Sequence, residues 1–333
     1  LDLRRVEPSR VGSSISANYG NTPRIEALRA RHRNAVNGNQ WWHELWGCST
    51  SAHLARNLGI EGPRLCNATA CASSTIAVIS AARAIQDGQC DAAIAGAAQT
   101  IHPLLAAGFH NMRVLARHER PEEACRPFDA QRTGFVMGEG AAILVLERLD
   151  DALRRRASIY AEVLGGSILC DANHVTDLST DSTSLVHLIN RTLRNSQLQP
   201  SDVGYVNAHG TGTLQNDAME SHGLRRAFGP AADQLCVSSV KAMLGHLVTA
   251  AGVVELAITA LALRDGFAPP TINLTEPDPE CDLDCIPMVG RERTLEHALK
   301  VSIAFGGNLA AIALRRWSGA GERAQDRPER MAA

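Results

Sequence analysis

From residue 10 to residue 316 the chain alternates short apolar runs with alanine-rich stretches of helical spacing, and that alternation limits the fold more than any other feature. RVGSSI (10–15), PRLCNAT (63–69) and CDAAIAGAA (90–98) read as strands, while 41–60 and 73–88 read as helices that stop at glycine. GAAILVLERL (140–149) and YAEVLGGSI (160–168) read as neighbouring strands. The second half repeats the rhythm, with a helix at 182–196, a strand at 203–210, a helix at 216–228 and a strand at 235–240. A long apolar helix follows at 247–266, then strands at 300–305 and 309–316 that pair across a Gly-Gly turn. Strands alternating with helices predict an α/β fold with sheets covered on both faces, built as two related units. The polar tail, 318–333, is expected to be disordered.

The 333 residues, 45% of them hydrophobic, suffice for a large core. A net charge of −2 offers no broad positive field, which argues against nucleic acid or an anionic membrane as partner. No apolar run approaches the roughly 20 residues that span a bilayer. No signal peptide is visible in the opening LDLRRVEPSR, and the first residue is Leu rather than Met. Nine cysteines at irregular spacing do not form a disulfide framework and fit a reducing cytosol. CDLDC (281–285) has no second ligand pair nearby, so a metal site is not expected there.

In α/β folds of this kind chemistry gathers at the carboxyl ends of strands, and four polar islands stand there. In NATACASST (67–75), Cys71 follows a strand and precedes a helix, with Ser73 and Ser74 available as caps. A thiol at a helix N-terminus is expected to have a lowered pKa, yet a buried structural cysteine fits the local pattern equally well. In NAHGTGT (207–213) a strand delivers His209 to a Gly- and Thr-rich turn, which favours function over a structural histidine. In SSVKAMLGHLVTAAG (238–252), Lys241 and His246 lead into an apolar helix, and Glu255 on that helix is the expected structural partner of Lys241. AFGGN (304–308) forms a turn that can present a backbone N–H to an oxyanion, or a plain hairpin. One Cys with two His points to acyl transfer through a thioester, without singling out one thiol enzyme.

Together and in this order, TACASS, NAHGTGT, VKAMLGHLVTAAG and AFGGN resemble the motifs of the β-ketoacyl-ACP synthase family, most closely the elongating enzymes of type II fatty acid and polyketide synthesis. RPFDAQRTGFVMGEGAAILVLERL (126–149) and PPTINL (269–274) resemble it too. The resemblance implies a thiolase-like α-β-α-β-α core of two halves, 1–155 carrying the nucleophile and 156–317 carrying both histidines, followed by the tail 318–333. It implies that Cys71 takes an acyl chain from an acyl carrier protein and that His209 and His246 stabilise the enolate of a decarboxylating malonyl thioester. It further implies an oxyanion hole and acyl gate at Phe305, Gly306 and Gly307, and a pantetheine contact at Thr211 and Thr213. Lys241 and Glu255 would support the site. No cofactor is implied, because the phosphopantetheine arrives on the carrier protein. The implied assembly is a homodimer or a heterodimer. The Cys-His-His set separates the chain from initiating synthases, which use Cys-His-Asn, and from thiolases, which carry a second catalytic Cys. The alternative is a non-catalytic, chain-length-factor-like partner subunit; such factors lack the nucleophilic Cys.

The chain departs from that pattern in three places. Leu309 stands where the family usually has Asn, which bears on the hydrogen bonding behind His246, and Ile303 stands where Phe is frequent, which would loosen the gate. The family also opens with a strand and helices ahead of the segment matching RVGSSI. The chain is accordingly read as a fragment or truncated gene model, in preference to one completed by another chain or a decayed homologue, and its first sheet is expected to lack a central strand and to expose edges. Arg113, Arg117 and Arg120 cluster in HNMRVLARHER; a solvated face is the simple reading, and the resemblance raises Arg113 and Arg117 as contacts for an acidic carrier protein.

Overall fold

The computed structural model describes residue 2, residues 6–19 and residues 46–319; the start of the helix expected at 41–60 and nearly all of the tail lie outside them. In chain order the first unit comprises β1 (Val11–Ser16), α1 (Cys48–Leu58), β2 (Arg64–Leu65), α2 (Ser73–Gln86), β3 (Ala92–Gln99), α3 (Pro103–Asn111), β4 (Gly140–Glu147) and α4 (Leu149–Arg154). The second comprises β5 (Ala161–Cys170), α5 (Thr183–Asn195), β6 (Val203–Asn207), α6 (Leu214–Phe228), β7 (Cys236–Ser238), α7 (Lys241–Leu244), α8 (Ala251–Asp265), β8 (Phe267–Ala268), β9 (Arg291–Glu292), β10 (His297–Ala304) and β11 (Asn308–Arg316). One sheet has the order β2-β1-β3-β4, the other β5-β11-β10-β6-β7, and β8 and β9 form a small ribbon.

Helices α2 and α8 pack on each other and touch strands of both sheets, so they form a middle layer. Their sequences suit that place. Ala77, Val78, Val253 and Leu256 are buried, and α8 is apolar nearly all round, as a helix covered on every side must be. Gly252 lets the two helices approach, because a Cβ there would collide with Thr75 Oγ1. Outside the second sheet, α5 and α6 bury Leu188, Ile189 and Leu224 against Val301, Ile303 and Leu309. Along β10, odd-numbered residues enter that outer core, while Ala298 and Ala304 face the inner core that holds Cys71.

Two expectations are corrected. β4 and β5 are not neighbours: β4 runs antiparallel on β3 at the rim of the first sheet, and β5 pairs with β11 at the rim of the second. PRLCNAT contributes only the two residues of β2, since the rest forms the turn that carries Cys71. The first sheet has four strands against five in the second, with β1 paired directly to β3 over six residues. Apolar surface is exposed at its rims, at Leu65, Ile143 and Val145. All nine cysteines are free, and among the described residues no helix is long and apolar enough to cross a membrane.

Candidate active site

Cys71 sits in a one-turn 3-10 segment, Ala70–Ala72, that runs straight into α2. Ala70 takes a left-handed φ of 48°, unusual for a residue with a side chain, and its neighbours hold it there. Asn18 accepts the Ala70 N–H at 3.2 Å and donates to the Ala70 carbonyl at 3.4 Å. Ser73 Oγ accepts the Thr69 N–H at 2.9 Å and donates to the same carbonyl at 2.7 Å. Ser73 therefore braces the turn rather than capping α2, and Ser74 accepts the Val253 N–H at 2.9 Å in the first turn of α8. Neither serine caps its own helix, contrary to the sequence expectation.

The thiol also departs from expectation. Burial pushes Cys71 up to about 12, a shift that the nearby Lys241 ammonium only partly offsets. Desolvation outweighs the helix dipole here, since Cys71 is only 5% exposed.

His246 follows the left-handed Gly245 and is held by backbone bonds to the strand-like segment at 136–138: its N–H donates to Val136 O at 2.7 Å and its C=O accepts from Gly138 at 3.0 Å. Its Nδ1 accepts the Val248 N–H at 3.3 Å, which places the ring proton on Nε2. That Nε2 is 3.1 Å from Cys71 Sγ. His209 leaves β6 on a clamped peptide. Its N–H and that of Gly210 donate to the two carboxylate oxygens of Glu220 at 2.6 and 2.7 Å, and its C=O accepts from Lys241 Nζ at 2.6 Å. The two imidazoles stand edge to face, 5.4 Å apart. Burial first, and the Lys241 charge second, hold both far below the usual histidine range, so both are neutral.

Lys241 also meets Glu255 Oε1 at 2.5 Å, as the sequence predicts. The same carboxylate binds a second buried cation, Lys300, at 2.8 Å. Sequence reasoning missed Lys300, Glu220 and Asp217. Asp217 accepts the N–H groups of Phe128 at 2.8 Å and Thr211 at 3.0 Å, and so shapes the Gly-Thr turn. The available signal was a pair of acids three residues apart at the start of α6, directly behind that turn. Thr211 and Thr213 hydroxyls lie 2.9 Å apart, the first buried and the second half-buried.

Phe305 begins a turn between antiparallel β10 and β11 and packs against the inner core that holds Cys71. Its ring lies 6.5 Å from Phe109, which stacks edge to face on Phe135 at 5.2 Å, and Phe135 does the same to His246 at 5.0 Å. Gly306, at φ 80°, donates its N–H to Val175 O at 2.7 Å, so that amide is already engaged. Gly307 accepts from the Asp171 N–H at 2.8 Å. Leu309 and Ile303 point into the outer core. Position 309 is therefore not behind His246, where the Val248 N–H serves instead, and Ile303 is not at the gate. Arg113 and Arg117 are exposed and have no acidic partner among the described residues, whereas Arg120 pairs with Glu123 at 2.5 Å.

The ligand atoms of Cys71, His209 and His246 all lie within 4.8 Å of one another. The same spacing would suit a soft cation, but two buried ammonium groups stand behind it and oppose one.

The β-ketoacyl synthase N-terminal domain matches residues 1–152 and the C-terminal domain residues 160–275. The actinorhodin polyketide putative beta-ketoacyl synthase 1 of Streptomyces coelicolor is 40% identical over 328 residues, covering 95% of this chain and 70% of that protein. The 3-oxoacyl-[acyl-carrier-protein] synthase 2 of Synechocystis sp. is 43% identical over 269 residues, covering 80% of this chain and 65% of that protein. Among solved structures, a type II polyketide acyl carrier protein in complex with its ketosynthase aligns with a TM-score of 0.89 at 31% identity, over 94% of this chain and 79% of that one. The ishigamide ketosynthase/chain length factor aligns with a TM-score of 0.86 at 30% identity, over 95% and 78%. Two sheets around a shared helical layer, with a thiol from one unit meeting two neutral imidazoles from the other, are thus found in a chain that belongs to the β-ketoacyl synthases, acyltransferases of thiolase-like fold.

Proposed function

We propose that the chain extends an acyl thioester on an acyl carrier protein by decarboxylative Claisen condensation. The observation that carries this reading is the convergence of Cys71, His209 and His246 within 4.8 Å. In the first half-reaction Cys71 sulfur attacks the acyl carbonyl, a new C–S bond forms, and the pantetheine thiol leaves with the proton. The Nε2–H of His246 faces the sulfur and stabilises it as it becomes thiolate. The backbone N–H groups of Cys71 and Phe305 are assigned to the developing oxyanion.

In the second half-reaction a malonyl thioester loses CO₂, and the electron pair moves into its carbonyl as an enolate. Two neutral imidazoles can each donate one N–H to that oxygen, and their depressed pKa values keep them neutral on the acid side of pH 7. The enolate carbon then attacks the Cys71 thioester, and the Cys71 thiolate leaves. The product is a β-ketoacyl carrier protein. Thr211 and Thr213 are assigned to the pantetheine arm, Phe305 to the mouth of the acyl pocket, and Arg113 with Arg117 to the carrier protein. The free thiols and the relatives' type fit a cytoplasmic enzyme that works as a dimer.

Acyl- and malonyl-carrier proteins supplied together test the reading. Cys71→Ala is expected to abolish both acylation and condensation. His209→Ala is expected to retain acylation of Cys71, seen by mass spectrometry, and His246→Ala to retain it at a reduced rate, while condensation falls by about 10²-fold or more in both. A pocket-shaping subunit without chemistry would show none of these changes, and that result would reject the assignment.

A further inference from the structure

Lys300 is a charge that the reaction above does not use. It sits on β10 in the run KVSIAF, is 0% exposed, and points at the site's ionic support. Its Nζ lies 2.8 Å from Glu255 Oε2 and 3.3 Å from the carbonyl of Ala208, the residue just before His209. It also reaches the carbonyl of Val301. Glu255 already has a partner in Lys241, at 2.5 Å. Two buried ammonium groups on one carboxylate leave a surplus of positive charge, which is costly unless something depends on it.

We propose that Lys300 is a positioning residue of the condensing site: it fixes Glu255 and the Ala208–His209 peptide, and it sets a buried positive charge behind the two histidines. Three groups hold that stretch of backbone. Lys300 binds the Ala208 carbonyl, Glu220 binds the N–H groups of His209 and Gly210, and Lys241 binds the His209 carbonyl, itself tethered to Glu255. The charge state matters because the Nδ1 of His246 accepts the Val248 N–H, a bond that a protonated ring cannot make. Lys300 disfavours protonation of both imidazoles. The titratable groups around it are Glu255 on α8, Lys241 on α7, Glu220 on α6 and the two histidines. Burial pulls Lys300 itself down to about 8 against the pull of Glu255, so it is charged throughout the range in which the histidines would titrate.

The inference rests on the condensing reading, and its test separates the two. Lys300→Met keeps an unbranched side chain of similar length and removes the charge. Without Lys300 the imidazole pKa values rise, so protonation begins at higher pH. The acid limb of kcat for condensation is expected to move up by about one pH unit, a tenfold loss at its foot, with KM for the malonyl carrier unchanged. A pH profile that superimposes on that of the unmutated protein overturns the proposal. Histidine ring-carbon resonances report the same shift without any turnover, so an inactive wild type would sink the condensing reading while Lys300 is still tested. Should Lys300→Met not fold, the unmutated protein decides. Its His209 and His246 resonances are expected to show a second small inflection near pH 8, where Lys300 loses its proton. A flat response there would reject the coupling.

Discussion

Burial, not the helix dipole, sets the chemistry of Cys71 at rest. The thiol stands near 12, so its thiolate fraction at pH 7 is small and grows with pH. Alkylation of the Cys71 peptide by iodoacetamide, followed by mass spectrometry, is expected to quicken about tenfold per pH unit from pH 7 to 10. A plateau near neutrality would show that the dipole prevails. A quiet resting sulfur suits an enzyme that must not react before its acyl donor is seated. The residues proposed to meet the substrate were legible because each lies in a short motif with unusual neighbours: Cys71 among small residues, His209 before Gly-Thr-Gly-Thr, His246 after a lysine that needed a partner. The groups behind them were not. Lys300 lies in an apolar strand, and only the face it turns inward, fixed by pairing with β6 and β11, reveals its partner. Glu220 and Asp217 looked like ordinary charges on a helix, and they became visible once α6 closed over the Gly-Thr turn.

At the scale of elements, strand and helix identities followed from apolar periodicity with PRLCNAT as an exception, whereas of the strand partners the β10–β11 hairpin was legible and the rim strands were not. β4 and β5 are adjacent in sequence and both half-apolar, yet each completes a different sheet. Pairing depends on register and on which face a helix already covers, which is nonlocal information. The crossing of α2 and α8 is the contact on which both sheets rest, and it depends on one missing side chain. Gly252→Ala forces a methyl onto Thr75, whose hydroxyl is bonded to Ser302 on β10 at 2.8 Å. The substitution is expected to lower unfolding free energy by about 1–3 kcal/mol in urea titration. Gly108→Ala in α3 is the matched control. Nothing lies within 4 Å of its added methyl, so the better helix propensity of Ala should leave stability unchanged or slightly raised. Equal losses at both positions would show that close approach of the helices is not what Gly252 provides.

For the whole molecule, the site is a seam. The first unit brings the Cys71 thiol, the second brings both imidazoles and the ionic support, and α2 with α8 keep the two in register. The order of motifs along the chain announced this division but not the distance across it, since packing of the middle layer sets that. The same view connects the surface to the chemistry. α3 places Phe109 in the row of rings that ends on His246, and its C-terminal end leads into Arg113. The chain as a whole is nearly neutral, so attraction of an acidic carrier protein has to come from local charge of this kind. Arg113 and Arg117 are exposed and unopposed by acids among the described residues, unlike Arg120. Arg113→Glu is expected to raise the carrier-protein KM about fivefold, the effect of roughly 1 kcal/mol at an exposed charge contact, and to flatten its dependence on salt. Turnover of a small acyl-pantetheine thioester, which needs no docking, should be unchanged by the same substitution. An unchanged carrier KM, or an equal loss with the small thioester, would remove this face as the docking surface.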